Sequence, residues 1–289
     1  MVEFFQQLAN GVIIGATYAL LTIGLTMIFG LMQILNYAHG EFYMLGGVVA
    51  FWVIDAMHLN FFVSIIATVL ICFVMGIVFE RILIRRLYGV PIVTTAIVTV
   101  GLSIFLQNTV FMLWGNVPRT IETPFSIKPI SVGPLTFPPI RIFVLVITII
   151  VIAATQLIIH HTKLGRAMRA TFQDKDVAAM SGISTRKIYA LTFAYGSALA
   201  GLAGILCGSF LTISPFMGST VTTKAWAIAI VGGIGNIPGA IFGGFLLGIV
   251  ESLGAGYISA PYKDAFSFII VILVLIFKPQ GLFSKKEAA

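Results

Sequence analysis

Long, nearly unbroken runs of hydrophobic residues dominate the chain, and short polar segments separate them. The runs fall at about 8–32, 42–57, 61–80, 91–115, 139–160, 188–214, 238–256 and 262–278. About 20 consecutive apolar residues form a helix long enough to cross a bilayer's hydrocarbon core of about 30 Å. We therefore predict an all-α integral membrane protein, a polytopic bundle of about eight transmembrane helices that forms one domain over residues 1–289.

A shorter apolar piece at 224–234 breaks this pattern. It ends in a stretch rich in glycine, GGIGNIP, which disfavours a continuous helix. We predict a broken or re-entrant segment near 224–238. Irregular backbone at membrane depth is tolerated only where protein buries it or it lines a cavity, so Gly235 and Asn236 become candidate pathway or gate residues.

Composition and charge support the membrane assignment and orient the chain. Hydrophobic residues make up 59% and charged residues 9%, and the mean hydropathy is +1.07. The net charge of +7 is spread over short loops, which argues against a nucleic-acid-binding face. Cytoplasmic loops carry excess Lys and Arg, so we place loops 81–86 and 161–187 and the tail from Lys278 through Lys285 and Lys286 inside. The proline-rich loop 116–138 is then outside, as is the N-terminus.

Polar residues interrupt the apolar runs at two places. Asn36, His39 and Glu41 lie between the first two runs, and span counting puts them on the cytoplasmic side. Gln107 and Asn108 lie inside the fourth run. Because polar and ionisable side chains in hydrocarbon are costly, all five are candidate pathway or gate residues. The alternatives are helix capping for Asn36 and Glu41, and bonding between helices for Gln107 and Asn108.

The sequence shows no catalytic or metal-binding motif. It has no serine-nucleophile elbow, zinc-binding helix signature or Gly-x-x-x-x-Gly-Lys-Ser/Thr phosphate loop. We therefore predict that the chain is not an enzyme, holds no metal and binds no cofactor. Any ATP-driven cycle would need a second protein.

The longest charged stretch lies between the fifth and sixth runs and reads GRAMRATFQDKDVAAMSGI at 165–183. Its mixture of charged and small apolar residues predicts an amphipathic cytoplasmic helix ending near Gly182. Its small residues would let it dock shallowly in a groove of a partner. The alternative is a solvated connector.

Three segments carry a resemblance to a known family. These are LNYAHGEFYMLGG at 35–47, the charged stretch at 165–183 and AIVGGIGNIPGAIFGGFLLGIVESL at 229–253. In this order they resemble the LivH-like branched-chain amino acid permeases of ATP-binding-cassette importers. The resemblance covers nearly the whole chain.

The resemblance implies a permease subunit in a bacterial cytoplasmic membrane. Its partners would be a homologous second permease, two cytosolic ATPases that hold the ATP and Mg²⁺, and an extracytoplasmic solute-binding protein. It also implies that Asp174, Asp176, Ala178, Ala179 and Gly182 couple to the ATPase. The expected solute is leucine, isoleucine or valine. Urea, short amides and other amino acids stay open as solutes, and a self-sufficient secondary transporter or channel is the rival class.

Overall fold

The computed structural model describes residues 1–125 and 128–283, and helices account for most of this part of the chain. The α-helices are α1 Val2–Met32, α2 His39–Asp55, α3 Phe61–Ile82, α4 Ile92–Trp114, α5 Pro139–His161, α6 Lys163–Gln173, α7 Lys175–Met180, α8 Thr185–Gly208, α9 Met217–Gly232, α10 Ile237–Tyr257 and α11 Lys263–Phe277. Two 3₁₀ turns, Ile84–Leu87 and Ala260–Tyr262, follow α3 and precede α11. A two-stranded antiparallel hairpin, β1 Ile130–Val132 and β2 Leu135–Phe137, lies in the predicted outer loop.

Seven helices among the described residues are long and apolar enough to cross a membrane: α1, α3, α4, α5, α8, α10 and α11 with its preceding turn. This confirms the predicted all-α integral membrane class. The run predicted at 42–57 is α2, a helix of 17 residues, and the piece at 224–234 belongs to α9, a helix of 16 residues. At 1.5 Å per residue these two helices are only about 25 Å long.

Two helices form the centre of the bundle. In the most hydrophobic 18-residue stretch of each helix, 78% of α1 and 89% of α8 is buried, whereas only 28% of α3, α4 or α5 is buried. The peripheral helices turn small or hydroxyl-bearing residues inward. On α3 the inner face carries Ser64, Thr68, Cys72 and Gly76 at intervals of four residues, and large aliphatic residues cover its exposed face. Small inward faces let helix backbones approach closely in lipid, where the hydrophobic effect does not drive them together.

Glycines make the closest of these approaches. A Cβ atom built on Gly15 of α1 would lie 2.8 Å from the Gly244 carbonyl oxygen of α10. A Cβ atom built on Gly24 would lie 2.7 Å from the Gly196 carbonyl oxygen of α8. The glycine-rich stripes of α8 and α10 are therefore packing surfaces.

The predicted break falls at 233–236, between α9 and α10. Gly233 and Gly235 have φ values of 97° and 82°, a region that favours glycine, and Gly232 lies beside Gly239, so the two helices run antiparallel. The Leu282 N–H donates to the Val231 carbonyl at 2.8 Å, which brings the end of the chain to this turn. The turn therefore lies at the same end of the bundle as the tail, which the charge pattern places inside. Helix α9 reaches this turn from beside the start of α2, where Gly218 packs against Glu41. Lys285 and Lys286 lie outside the described residues.

The structure corrects the predicted depth of residues 36–41. Glu41 accepts a hydrogen bond from Ser103, which lies midway along α4, and His39 donates from Nε2 to the Leu21 carbonyl of α1 at 3.1 Å. The chain reverses after α1 at Gln33, whose φ is 54°, and returns into the bundle before α2 begins. The expected position at the cytoplasmic surface is wrong, because α2 starts at mid-depth.

Candidate solute pathway and coupling site

The buried start of α2 is held by polar groups from two other helices. The Tyr37 N–H donates to Thr99 Oγ1 of α4 at 3.1 Å, and the Gly40 N–H donates to Thr222 Oγ1 of α9 at 3.0 Å. Asn36 Oδ1 accepts the N–H two residues further on at 3.1 Å. The first N–H groups of a helix lack intrahelical partners, and lipid cannot supply any. The hydroxyls therefore join α2, α4 and α9 at the centre of the membrane.

Glu41 lies in the first turn of α2 with no solvent-exposed surface. Its Oε1 accepts hydrogen bonds from Ser103 Oγ at 2.8 Å and Gln107 Nε2 at 2.7 Å. Its Oε2 has no hydrogen-bond partner among the described residues, and neither do Asn36 Nδ2 and His39 Nδ1. Buried polar atoms without partners are rare in folded proteins and mark sites that ligands or water complete.

Four of the predicted pathway residues therefore lie at or against the buried start of α2: Asn36, His39 and Glu41 in the chain itself, and Gln107, which donates to Glu41. Asn108 does not join them. It lies on the face of α4 that points away from the bundle, and its Nδ2 donates to the Ile104 carbonyl at 2.8 Å. The pathway role of all five residues stays a prediction.

The remaining two predicted pathway residues lie at the cytoplasmic turn. Asn236 caps α10, with Oδ1 accepting the Gly239 N–H at 2.9 Å, and its Nδ2 donates to the Phe283 carbonyl at 2.7 Å. Gly235 faces Gly30 at the end of α1. Gly235 and Asn236 thus belong to a turn that contacts α10, the end of α1 and the chain near Phe283, and this turn lies away from the start of α2.

The charged stretch forms two helices instead of the single one predicted. The chain bends at Asp174, whose Oδ1 accepts the backbone N–H groups of Asp176 at 2.8 Å and Val177 at 3.0 Å and so caps α7. The N–H groups of Val177 and Asp176 stabilise the charged carboxylate and hold the pKa of Asp174 below its usual value. Gly182, with φ 82°, follows the end of α7 near the predicted position.

The side chains of α7 divide into an inner and an outer face. Asp174, Asp176 and Ala179 are exposed, but Ala178 is only 3% exposed and packs inward. The expected contact between Ala178 and an ATPase therefore does not fit its position. Met180 is instead 88% exposed and gives the helix an apolar tip, which the sequence did not reveal.

A cavity of about 520 Å³ separates α7 from the cytoplasmic ends of α1 and α8, and its lining includes Asp176, Tyr88 and Tyr189. The rings of Tyr88 and Tyr189 are 4.9 Å apart, and the Tyr88 hydroxyl donates to Glu80 at 2.6 Å. Arg85 makes an ion pair with the same carboxylate at 3.0 Å. Burial, and then the Glu80 carboxylate, raise the pKa of Tyr88, which keeps its phenol protonated as a donor.

A third polar cluster lies towards the outer side, and sequence reasoning missed it. Lys224 Nζ of α9 is 2.8 Å from Glu251 Oε1, 2.8 Å from Asp264 Oδ1 and 2.9 Å from the Tyr18 hydroxyl. In the sequence, Glu251 is a single carboxylate inside the apolar run at 238–256. Lys224 at the start of the apolar piece 224–234 could have indicated a buried charge, but its partners cannot be identified from the sequence because they lie far along the chain.

The fold and these sites define a class: a multi-spanning membrane protein in which the longest charged stretch forms a short helix with an exposed apolar tip. Within the described residues, no group of three or more His, Cys, Asp or Glu side chains could hold a metal ion. The family model described as branched-chain amino acid transport system / permease component matches residues 7–275. The chain belongs to this family.

Curated relatives resemble the chain over almost its full length. BraD of Pseudomonas aeruginosa, named a high-affinity branched-chain amino acid transport system permease protein, is 37% identical and covers 99% of this chain and 97% of its own. LivH of Salmonella typhimurium, with the same description, is 36% identical over 98% of this chain and 96% of its own. LsrC of Escherichia coli, named an autoinducer 2 import system permease protein, is 27% identical over 66% and 64%. No solved structure matches.

Proposed function

We propose that this chain is a permease subunit of an ATP-binding-cassette importer that carries leucine, isoleucine and valine across a bacterial cytoplasmic membrane. The observation that carries the proposal is the near full-length similarity to LivH and BraD, which are named permease proteins of high-affinity branched-chain amino acid transport systems. The weaker similarity to LsrC, which is named for a different solute, leaves other small solutes to be tested.

The proposed energy source is a pair of cytosolic ATPase subunits that bind ATP and Mg²⁺. The exposed face of α7, with Asp176, Ala179 and Met180, would enter a groove on the ATPase. A rigid-body change in the ATPase would then move α7. Movement would pass to α8 through the short connection after Gly182 and to α5 through α6, where Arg169 Nη1 donates to the Ile159 carbonyl.

The proposed pathway runs beside the start of α2. A homologous second permease would face α4, which is mostly exposed and carries Asn108 on its outer surface at mid-depth. Glu41 and Gln107 lie behind the exposed face of α4, inside the bundle, and would form or support the gate of the pathway. A solute-binding protein would meet the outer side. The candidate contacts are loop 116–138 and the first residues of the segment 214–223, because Thr222 is buried beside the start of α2.

The test of the solute is uptake by cells that lack their own branched-chain amino acid importers. The chain is expressed with its partner subunits, and accumulation of radiolabelled leucine, isoleucine, valine, urea and acetamide is compared with that of cells expressing the partners alone. We expect accumulation of the three amino acids only. Accumulation of urea or acetamide without leucine would refute the proposed solute.

A further inference from the structure

A cavity of about 400 Å³ opens towards the outer side between α1, α9 and the start of α11. Its mouth includes Thr212 and Lys263, and its wall includes Tyr18, Val221 and Lys224. Sites for small molecules have volumes of about 300–1,000 Å³ and combine apolar walls with a few polar groups. This cavity has that size and that mixture.

Lys224 is the buried cation of this wall, with its side chain 6% exposed. Two carboxylates contact its ammonium group, and they differ in burial. Glu251 is 4% exposed and is also held by Tyr18, which donates to its Oε2 at 2.9 Å, and by Ser267. Asp264 is 44% exposed. Glu251 is thus the fixed partner of Lys224, and Asp264 is the partner that can leave into water.

Replacing Asp264 by another carboxylate keeps the charge beside Lys224 unchanged. The departing Asp264 side chain regains its hydration, and the solute's ammonium group would stay in water at the open mouth of the cavity. A buried lysine without a second partner would favour any anion that can reach it. The aliphatic side chain of a bound solute would face Ile14, Leu211 and Val221, which line the same cavity.

From this arrangement we propose that the cavity is an outer binding site for the transported amino acid, in which Lys224 binds the solute carboxylate after Asp264 moves away. The proposal rests on the proposed function, because it takes an aliphatic amino acid as the solute. It adds Lys224 as a substrate-binding residue and Asp264 as an internal competitor for the same ammonium group.

Protection of a cysteine at the cavity mouth tests the site without ATP-driven transport. Thr212→Cys is introduced into the full chain with Cys72 and Cys207 replaced by alanine, and its rate of reaction with a membrane-impermeant maleimide is measured in membranes. L-Leucine should slow the reaction. Leucinamide, which has the same side chain and ammonium group but no carboxylate, should not.

Two variants in this background separate binding from folding. Lys224→Met combined with Glu251→Gln removes both charges of the buried pair, leaves neither unpaired and should abolish protection by leucine. Asp264→Asn removes the competitor, so half-maximal protection should need about tenfold less leucine, which corresponds to the loss of one charge contact of about 1.4 kcal/mol. A purely structural ion pair would not give opposite effects in the two variants.

Equal protection by leucine and leucinamide would overturn the proposal, as would unchanged protection in the Lys224→Met, Glu251→Gln variant or an absence of protection in all variants. Failure of the proposed function gives a different result, in which cells show no uptake of branched-chain amino acids. Protection by leucine that depends on Lys224 would support the site in either case.

Discussion

Replacing Met180 by aspartate should weaken the binding of an ATPase subunit without disturbing the bundle. Met180 is 88% exposed in this chain, so its substitution removes almost no internal packing. Full burial of a methionine side chain at an interface contributes about 1.5–3 kcal/mol, because apolar surface leaves water. At 1.4 kcal/mol per tenfold, losing that contribution weakens binding ~10–150-fold.

The assay is the affinity of purified permease in lipid nanodiscs for the isolated ATPase subunit, measured by biolayer interferometry. Met57→Asp is the matched control, since Met57 is 65% exposed and follows α2 on the outer side. The control should bind like the unmodified protein. Binding of Met180→Asp within twofold of the unmodified protein, or an equal loss in both variants, would refute the docking of α7.

Three further predictions test the packing and the cytoplasmic contacts. Gly244→Val should abolish the folded yield in detergent, because a Cβ there would lie 2.6 Å from the Ala19 backbone nitrogen; Gly101→Val, with nothing within 4 Å, should leave the yield unchanged. Glu80→Ala should lower stability by about 1.5–3 kcal/mol per lost charged hydrogen bond, seen as a lower thermal midpoint, and an unchanged midpoint would contradict this. Asp174→Ala should speed amide exchange across α7 while Asp174→Asn preserves protection. Because its pKa is lowered on folding, the Asp174 cap should hold at neutral pH and weaken only as the pH falls through that lowered value, so loss of protection near neutral pH would count against it.

The spans were predictable because lipid imposes a simple rule on sequence. A crossing helix needs about 20 apolar residues, and the hydrophobic runs gave the approximate positions of all seven helices long enough to span. The break after α9 was predictable for a similar reason, since Gly233 and Gly235 take backbone conformations that other residues avoid.

The start of α2 was not predictable, because distant residues determine its depth. The chain can return into the membrane after Gln33 only because Thr99 and Thr222, which lie far along the sequence, accept the N–H groups at the start of the helix. A count of spans assumes that each connection lies at a surface. It therefore placed Glu41 at the cytoplasmic face instead of mid-depth.

The sequence also did not reveal the polar cluster around Lys224 or which side chains of α7 face outward. Lys224 and Glu251 are 27 residues apart, and neither residue reveals its partner in the sequence. In the charged stretch, composition indicated a docking helix. Composition did not show that the side chain of Ala178 faces inward and that of Met180 outward. The reason is that a new helix begins after the bend at Asp174, so the faces of α7 do not continue those of α6.

The central claim, that ATP hydrolysis by partner subunits drives solute through this chain, is tested most directly by leucine uptake into proteoliposomes. The vesicles contain the complete transporter, with solute-binding protein and leucine on the outside and either ATP or ADP enclosed. We predict leucine accumulation above the external concentration with enclosed ATP, and none with ADP or without the ATPase subunits. Equal leucine flux through the permease without ATPase subunits and nucleotide would contradict the account and favour a self-sufficient transporter or channel.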